Sequence, residues 1–113
     1  MHVESADIWL FKQLDASLWR LADNPQNEIS QNLGICVSED IANDFDHYYK
    51  VILSKYEHEL CNEYLTSLRT INDLLDSVVD WSSDSFIGSH EWENIRNASI
   101  QLCLRYKIIG QTS

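Results

Sequence analysis

Asp44 and His47 are three residues apart, a spacing that places both side chains on one face of a helix. Helical bundles build metal sites from pairs of this kind, but only when a second pair and further acids also point inward. Asp40 lies one turn earlier, whereas the inward positions Ile41 and Phe45 are apolar. We therefore predict no metal and no cofactor, and we interpret these polar residues as a solvated face.

Residues 90–93, HEWE, are similar to the start of a zinc-protease motif but lack the second histidine that must follow the first. Their two glutamates stand where a helix is predicted to begin, and acids are favourable there. The chain also has neither a nucleophile elbow nor a glycine-rich phosphate-binding loop. We therefore predict that the protein is not an enzyme.

Residues 72–81, NDLLDSVVDW, contain three aspartates and no lysine or arginine. We predict that they form the last turns of a helix, where acids lie at the negative end of the helix dipole. Asp73, Asp76 and Asp80 would then lie within about 60° of one another on the outward side. Arg69 can pair with Asp73, but the other two aspartates have no basic residue one turn away. Each acid costs about a few tenths of a kcal/mol, so local stability does not explain this acidic row.

We interpret the acidic row as a docking surface for a strongly basic protein partner, with a face kept acidic only for solubility as the alternative. Trp81 and Asp84 extend the row and add an aromatic side chain, a residue type that is enriched at interface hot spots. A second acidic group lies earlier in the chain. The predicted partner-binding residues are Asp73, Asp76, Asp80, Trp81, Asp84, Glu57, Glu59 and Glu63.

The chain of 113 residues has a net charge of −10, from eighteen acids and eight bases. Residues 38–84 hold eleven of the acids and three of the bases, so they contribute most of this charge. A field of this sign repels phosphate backbones and anionic lipid headgroups, and we predict no direct binding to nucleic acid or membranes. A basic protein is the partner that such a field favours.

No apolar run approaches the roughly 18 residues of a membrane span, and no secretory signal precedes the chain's first helix, so we predict a cytoplasmic protein. Its cysteines, Cys36, Cys61 and Cys103, are far apart and odd in number, which argues against a disulfide framework or a structural zinc site. We interpret them as core thiols, above all Cys61 and Cys103 in apolar helical stretches.

The elements that position these residues are predicted to be helices, because the chain has only three glycines and one proline and no clear alternation of apolar and polar residues. An amphipathic helix is predicted over about residues 5–22 and a short one over about residues 25–33. Asn24 is the expected cap of the short helix, and Gly34 suits the position after its end.

From Ser38, a predicted N-cap, a stripe of apolar residues continues for about forty residues with steps of three or four. One helix of that length would extend roughly 60 Å, too long for so small a domain to cover. We therefore predict a long or broken central helix over residues 39–80, with any break in the polar stretch 54–63. Tyr49 and Trp81 lie off the stripe and are predicted to be exposed. The tyrosines predicted to pack in the core are Tyr48, Tyr56, Tyr64 and Tyr106.

Residues 82–89, SSDSFIGS, are predicted to form a loop, and Ser89 then caps a last helix over about residues 90–108. Together these segments predict an all-α fold. It is a compact bundle of four to six helices that forms a single helical domain over residues 1–113.

In size, acidity and helical character the whole chain resembles the immunity proteins that bacteria make against their own nuclease toxins, including those of contact-dependent growth inhibition systems. The resemblance implies an inhibitor that binds a cognate toxin domain with a basic surface and blocks either its active site or access of its substrate. The main alternative is a helical regulatory or adaptor protein, a monomer or a homodimer, that binds a partner helix through an apolar face. A bundle enzyme or metal protein is the third hypothesis.

Overall fold

Six α-helices make up most of the chain that the computed structural model describes, which is residues 3–31 and 36–105. They are α1 (Ile8–Ala22), α2 (Pro25–Gln31), α3 (Val37–Tyr56), α4 (Asn62–Asp76), α5 (Ser83–Gly88) and α6 (His90–Arg105), and a 3-10 turn, Ser5–Asp7, precedes α1. These residues contain no β-strand, so the predicted all-α bundle is confirmed. None of the described helices is both long enough and apolar enough to cross a lipid bilayer.

Helix α1 lies between α3 and α6, and α6 also packs against α4. The buried side of α1 is formed by Phe11, Leu14 and Leu18, whose steps of three and four residues place them on one face. The indole ring of Trp92 in α6 is completely buried, and it meets the ring of Phe86 edge-on at a centroid distance of 5.0 Å. Side chains of α1, α3, α4, α5 and α6 therefore share one apolar core.

The central helix is broken within the polar stretch 54–63, as predicted. Helix α3 ends at Tyr56, and α4 begins at Asn62. In the turn between them, the amide N–H groups of Glu59 and Leu60 both donate to the carbonyl oxygen of Tyr56, at 2.9 and 3.1 Å. The turn reverses the chain, so that α3 and α4 run side by side in opposite directions.

The N-terminus of α3 is not capped by Ser38, so this prediction is wrong. The helix begins two residues earlier than predicted, at Val37, with Cys36 at the N-cap position. Ser38 is buried, and its hydroxyl donates a hydrogen bond to the carbonyl oxygen of Trp81 at 2.7 Å. The hydroxyl of Ser38, which the sequence predicted to cap the helix, therefore forms a tertiary contact with the segment after α4.

The predicted loop at residues 82–89 is also wrong, because it contains α5. Ser82 caps this helix, since its hydroxyl accepts a hydrogen bond from the amide N–H of Ser85 at 3.2 Å. Phe86 anchors α5 in the core with only 2% of its side chain exposed. At the other end of α5, the guanidinium of Arg96 donates to the carbonyl oxygen of Phe86 at 2.8 Å. Contacts with α6 thus hold a segment whose composition is typical of a loop.

Other helix ends follow the predicted pattern. The side-chain oxygen of Asn24 accepts a hydrogen bond from the amide N–H of Gln26 at 2.9 Å at the start of α2. The hydroxyl of Ser89 accepts one from the amide N–H of Trp92 at 3.2 Å and caps α6 as predicted. Helix α2 is described as far as Gln31, so its predicted residues 32–33 are outside the described residues, and α6 is described as far as Arg105. The predictions for Gly34, for Tyr106 and for residues 107–108 fall outside the described residues.

Two tyrosines exchange their predicted environments. Tyr49, predicted to be exposed, is buried and stacks on Phe45 with ring centroids 5.4 Å apart. Tyr48, predicted to lie in the core, is half-buried, and its ring meets the exposed indole of Trp9 edge-on. Adjacent helical residues point about 100° apart, so a small error in the orientation of the stripe exchanges neighbouring positions.

The prediction of core thiols is wrong for Cys36 and Cys61, which are both exposed. They occupy the N-cap positions of α3 and α4, because the break in the central helix places Cys61 at a helix end. Cys103 is half-buried, and this burial, together with the nearby carboxylate of Asp15, raises the pKa of its thiol to about 12. Cys103 is therefore a protonated thiol at neutral pH.

Candidate partner-binding groove

An open groove with a volume of about 470 Å³ lies between α3 and α4. One wall carries Asn43, Asp46 and Lys50 of α3, whose spacings of three and four residues place them on one face of the helix. The opposite wall carries Asn72 and Asp76 of α4, which are one turn apart. Apolar side chains of both helices also line the groove, so charged groups stand beside a partly apolar surface.

Asp73 and Asp76, two residues of the predicted acidic row, are exposed in the last turn of α4. Among the described residues, neither forms an ion pair with a lysine, arginine or histidine. The carboxylate of Asp76 accepts a hydrogen bond from the amide of Asn72 at 3.4 Å. The predicted pairing of Arg69 with Asp73 is wrong, because Arg69 pairs with Glu57 at 2.9 Å. The negative charge at these two positions therefore has no ion-pair partner among the described residues.

Asp80 does not continue this row, because α4 already ends at Asp76. Its carboxylate accepts a hydrogen bond from the amide N–H of Ser82 at 2.9 Å. This bond, followed by one with the Ser82 side chain, lowers the pKa of Asp80. Asp84 lies in the first turn of α5, where the helix dipole favours an acid. Local structure therefore accounts for Asp80 and Asp84. Of the four predicted aspartates, only Asp73 and Asp76 remain without a structural role.

Trp81 lies at one end of the groove and is half-buried, not exposed as predicted. Its ring meets that of Trp92 edge-on at a centroid distance of 5.6 Å. Its carbonyl oxygen accepts the hydroxyl hydrogen bond of Ser38. These contacts fix the position of the indole, so its groove-facing part is a rigid aromatic surface of the kind that anchors protein interfaces.

The second predicted acidic group, Glu57, Glu59 and Glu63, lies around the turn between α3 and α4. Two of these residues are paired, Glu57 with Arg69 at 2.9 Å and Glu63 with Arg105 at 3.3 Å. Glu59 is exposed and forms no ion pair within the described part of the chain. The group thus offers less uncompensated charge than its sequence indicates.

Asp46 belongs to the groove, although sequence reasoning did not single it out. Its carboxylate lies 3.0 Å from the ammonium of Lys50, one turn later in α3. Because α3 and α4 run in opposite directions, Asp46 lies toward the same end of the groove as Asp76, and Lys50 toward the same end as Asn72. Only the antiparallel arrangement of α3 and α4 brings Asp46 to the groove. That arrangement can be deduced only when the position of the turn between the two helices is known.

A separate charged cluster joins α1, α2 and α3 around Arg20. Its guanidinium lies 2.9 Å from the carboxylate of Glu28, 3.3 Å from that of Asp40 and 3.4 Å from that of Asp44. Glu28 is buried, and burial raises its pKa against the opposing effect of Arg20. The cluster links three helices. Asp40 and Asp44, which the sequence analysis interpreted as part of a solvated face, therefore contribute to the structure.

The residues considered for metal binding are engaged elsewhere. Asp44 contacts Arg20, and the ring of His47 lies edge-on against that of Tyr48 at 4.8 Å. Within residues 3–31 and 36–105, no three histidine, cysteine, aspartate or glutamate side chains come together as metal ligands would. The described side chains therefore form no candidate metal centre.

Within the described ranges, two tryptophans of α1 are the largest exposed apolar side chains, and sequence reasoning missed both. Trp9 is 53% exposed and Trp19 is 47% exposed. They are separated by about 15 Å along the helix axis, since α1 rises about 1.5 Å per residue. Trp19 also lines a shallow pocket with Asp23 and Glu28. Neither tryptophan lines the groove between α3 and α4.

The groove thus brings together Asp76 and Trp81, which sequence analysis predicted, with Asp46, which it did not. Carboxylates beside a fixed aromatic ring suit a cationic partner. Comparison of the chain with protein-family models, with curated proteins and with solved structures finds no match.

Proposed function

We propose that this protein is an immunity-type inhibitor, which binds a basic nuclease toxin domain through the groove between α3 and α4. The observation that carries the proposal is a pair of exposed carboxylates at the end of α4, Asp73 and Asp76, of which Asp76 lines the groove together with Trp81. Acids at the C-terminal end of a helix cost about a few tenths of a kcal/mol each. A cationic partner would remove this cost when it binds.

Inhibition would follow from the electrostatics that a nuclease needs. A nuclease domain presents cationic groups to the phosphate backbone of its substrate. A protein with a net charge of −10 competes for that surface and then repels the nucleic acid from it. Opposite potentials accelerate association, and a few buried anchors slow dissociation. This mechanism requires no catalytic residue in the inhibitor.

The second candidate function is that of an adaptor protein that docks through apolar contacts. The exposure of Trp9 and Trp19 on α1 favours it, because tryptophan is enriched at interface hot spots. Apolar docking depends weakly on ionic strength, whereas electrostatic docking slows as salt screens the charges. The two functions therefore predict different salt dependence and different sensitive residues.

Association kinetics with charge-matched variants distinguish the two functions. The groove variant is Asp73→Asn/Asp76→Asn, and the control, Glu4→Gln/Glu93→Gln, removes two exposed acids elsewhere. The partner is captured at low salt from a lysate of the source organism, identified and purified. We expect the groove variant to lower the association rate constant about tenfold and to weaken its salt dependence, with a smaller effect of the control.

Equal effects of the two variants would contradict a role for the groove. A binding loss confined to Trp9→Ala/Trp19→Ala, with little dependence on salt, would support the adaptor function. The groove variant and its charge-matched control change only exposed side chains. Circular dichroism should therefore show an unchanged helical fold in each of these two variants.

A further inference from the structure

We infer that the groove receives an arginine side chain of the partner, and that Lys50 is an internal competitor for the same site. The inference rests on the proposed function in one respect, that the partner is basic. It goes further in naming the group that is recognised, the residues that recognise it and the residue that limits its affinity.

The acceptors on the two walls match a guanidinium. Carboxylates of Asp46 and Asp76 lie on opposite walls, and each is accompanied on its own wall by an amide, that of Asn43 or Asn72. A guanidinium offers five N–H donors in one plane and can bond carboxylates on two sides. An ammonium has three donors on a compact head and lacks this fork geometry.

The aromatic end of the groove favours the same group. Trp81 lines the groove, and its ring is held by an edge-on contact with that of Trp92. A planar guanidinium stacks on an aromatic face while its N–H groups remain directed outward to acceptors. The apolar stem of an arginine would contact the apolar part of the lining. The groove therefore suits the positive charge of arginine, its planar guanidinium group and its apolar stem.

Lys50 already supplies a cation at this site. Its ammonium lies 3.0 Å from the carboxylate of Asp46, and its side chain is 70% exposed. An exposed pair of this kind is weak, so a flexible lysine stem exchanges readily. With Lys50 in place, two carboxylates and one ammonium give the groove walls a charge of −1, and without it −2. Lys50 therefore lowers the affinity of the groove for any cation of a partner. A cation that bonds the carboxylates of both walls is least affected, so the groove is selective for such a group.

The inference is tested with two probes, a peptide of nine arginines and a peptide of nine lysines, added to the intact chain. Binding is followed by the indole N–H signals of the tryptophans in ¹H–¹⁵N NMR spectra. We expect the arginine peptide to shift the signal of Trp81 saturably, at a concentration about fivefold below that of the lysine peptide. The signals of Trp9 and Trp19 should move little.

Single substitutions then assign the roles. Asp46→Asn and Asp76→Asn should each weaken arginine-peptide binding about fivefold, since each removes one charge-assisted partner. Lys50→Met should strengthen it about threefold. Lys12→Met changes the net charge equally on exposed α1 and is the matched control, with an expected effect below about twofold.

Equal binding of the two peptides would overturn the arginine site. The inference would also be overturned if Lys50→Met and Lys12→Met strengthened binding equally, or if the peptide shifted the signals of Trp9 and Trp19 instead of Trp81. The peptide experiment involves no nuclease. Its failure therefore overturns the arginine site alone, whereas failure to inhibit a nuclease overturns the proposed function.

Discussion

Individual carboxylates of this chain have three different uses, and only one of them points to a partner. Glu28 is buried and held by Arg20, so it links helices. Asp80 accepts the amide N–H of Ser82 and shapes the chain before α5. Asp73 and Asp76 have no such basic or backbone partner in the described structure, although Asn72 contacts one of them. The functional proposal rests on these two residues because folding does not explain them.

Asp7 illustrates the structural use of an acid and its dependence on pH. Its carboxylate accepts hydrogen bonds from the ammonium of Lys55 at 2.9 Å and from the hydroxyl of Tyr56 at 2.7 Å. The bond with Lys55, followed by that with Tyr56, holds the pKa of Asp7 below its usual value. Because the pKa is lowered in the folded state, the stabilisation is present above the unfolded pKa of about 3.9 and is lost as the pH falls through the folded pKa.

We therefore predict that Asp7→Asn lowers the free energy of unfolding at about pH 7, and that this difference shrinks as the pH falls below about 4. Urea denaturation across this pH range measures the difference. Lys55→Met removes the largest cause of the pKa shift and should reduce the same pH dependence. A difference between parent and Asp7→Asn that stays constant from neutral to acidic pH would contradict this account.

Among the elements, α5 shows how tertiary contacts decide the structure of a short segment. Six residues form too short a helix to be stable alone. The sequence predicted a loop there because serine, aspartate and glycine favour turns, and nothing local showed that Phe86 would meet Trp92. The break between α3 and α4 and the Ser89 cap were predictable, since local polarity and capping chemistry decide them.

The cap of α5 gives a prediction at this scale. Ser82→Ala removes the hydroxyl that accepts the amide N–H of Ser85, and it should lower the free energy of unfolding by about 1 kcal/mol. Ser83→Ala, at the next and exposed position, should change it by less than about 0.5 kcal/mol. Urea denaturation at neutral pH compares the two variants. Equal effects would show that the cap does not stabilise α5.

The whole molecule concentrates its charge in one part of the chain. Residues 38–84 hold eleven acids and three bases, whereas residues 85–113 hold two acids and three bases. The sequence was sufficient to predict this acidic field, which favours association with positively charged groups. It was not sufficient to predict which acids are neutralised, because pairs such as Glu63 with Arg105 depend on how distant helices pack. For the same reason, the groove and Asp46 emerged only from the packing of α3 beside α4.

The most direct test of the proposed inhibition is a titration of nuclease activity. The basic domain captured from the source organism would be assayed on RNA and DNA with increasing amounts of the parent chain or of Asp73→Asn/Asp76→Asn. We predict that the parent abolishes activity at about one equivalent, and that the variant requires about tenfold more, with the difference narrowing at high salt. A captured partner without nuclease activity, or equal inhibition by parent and variant, would contradict the account.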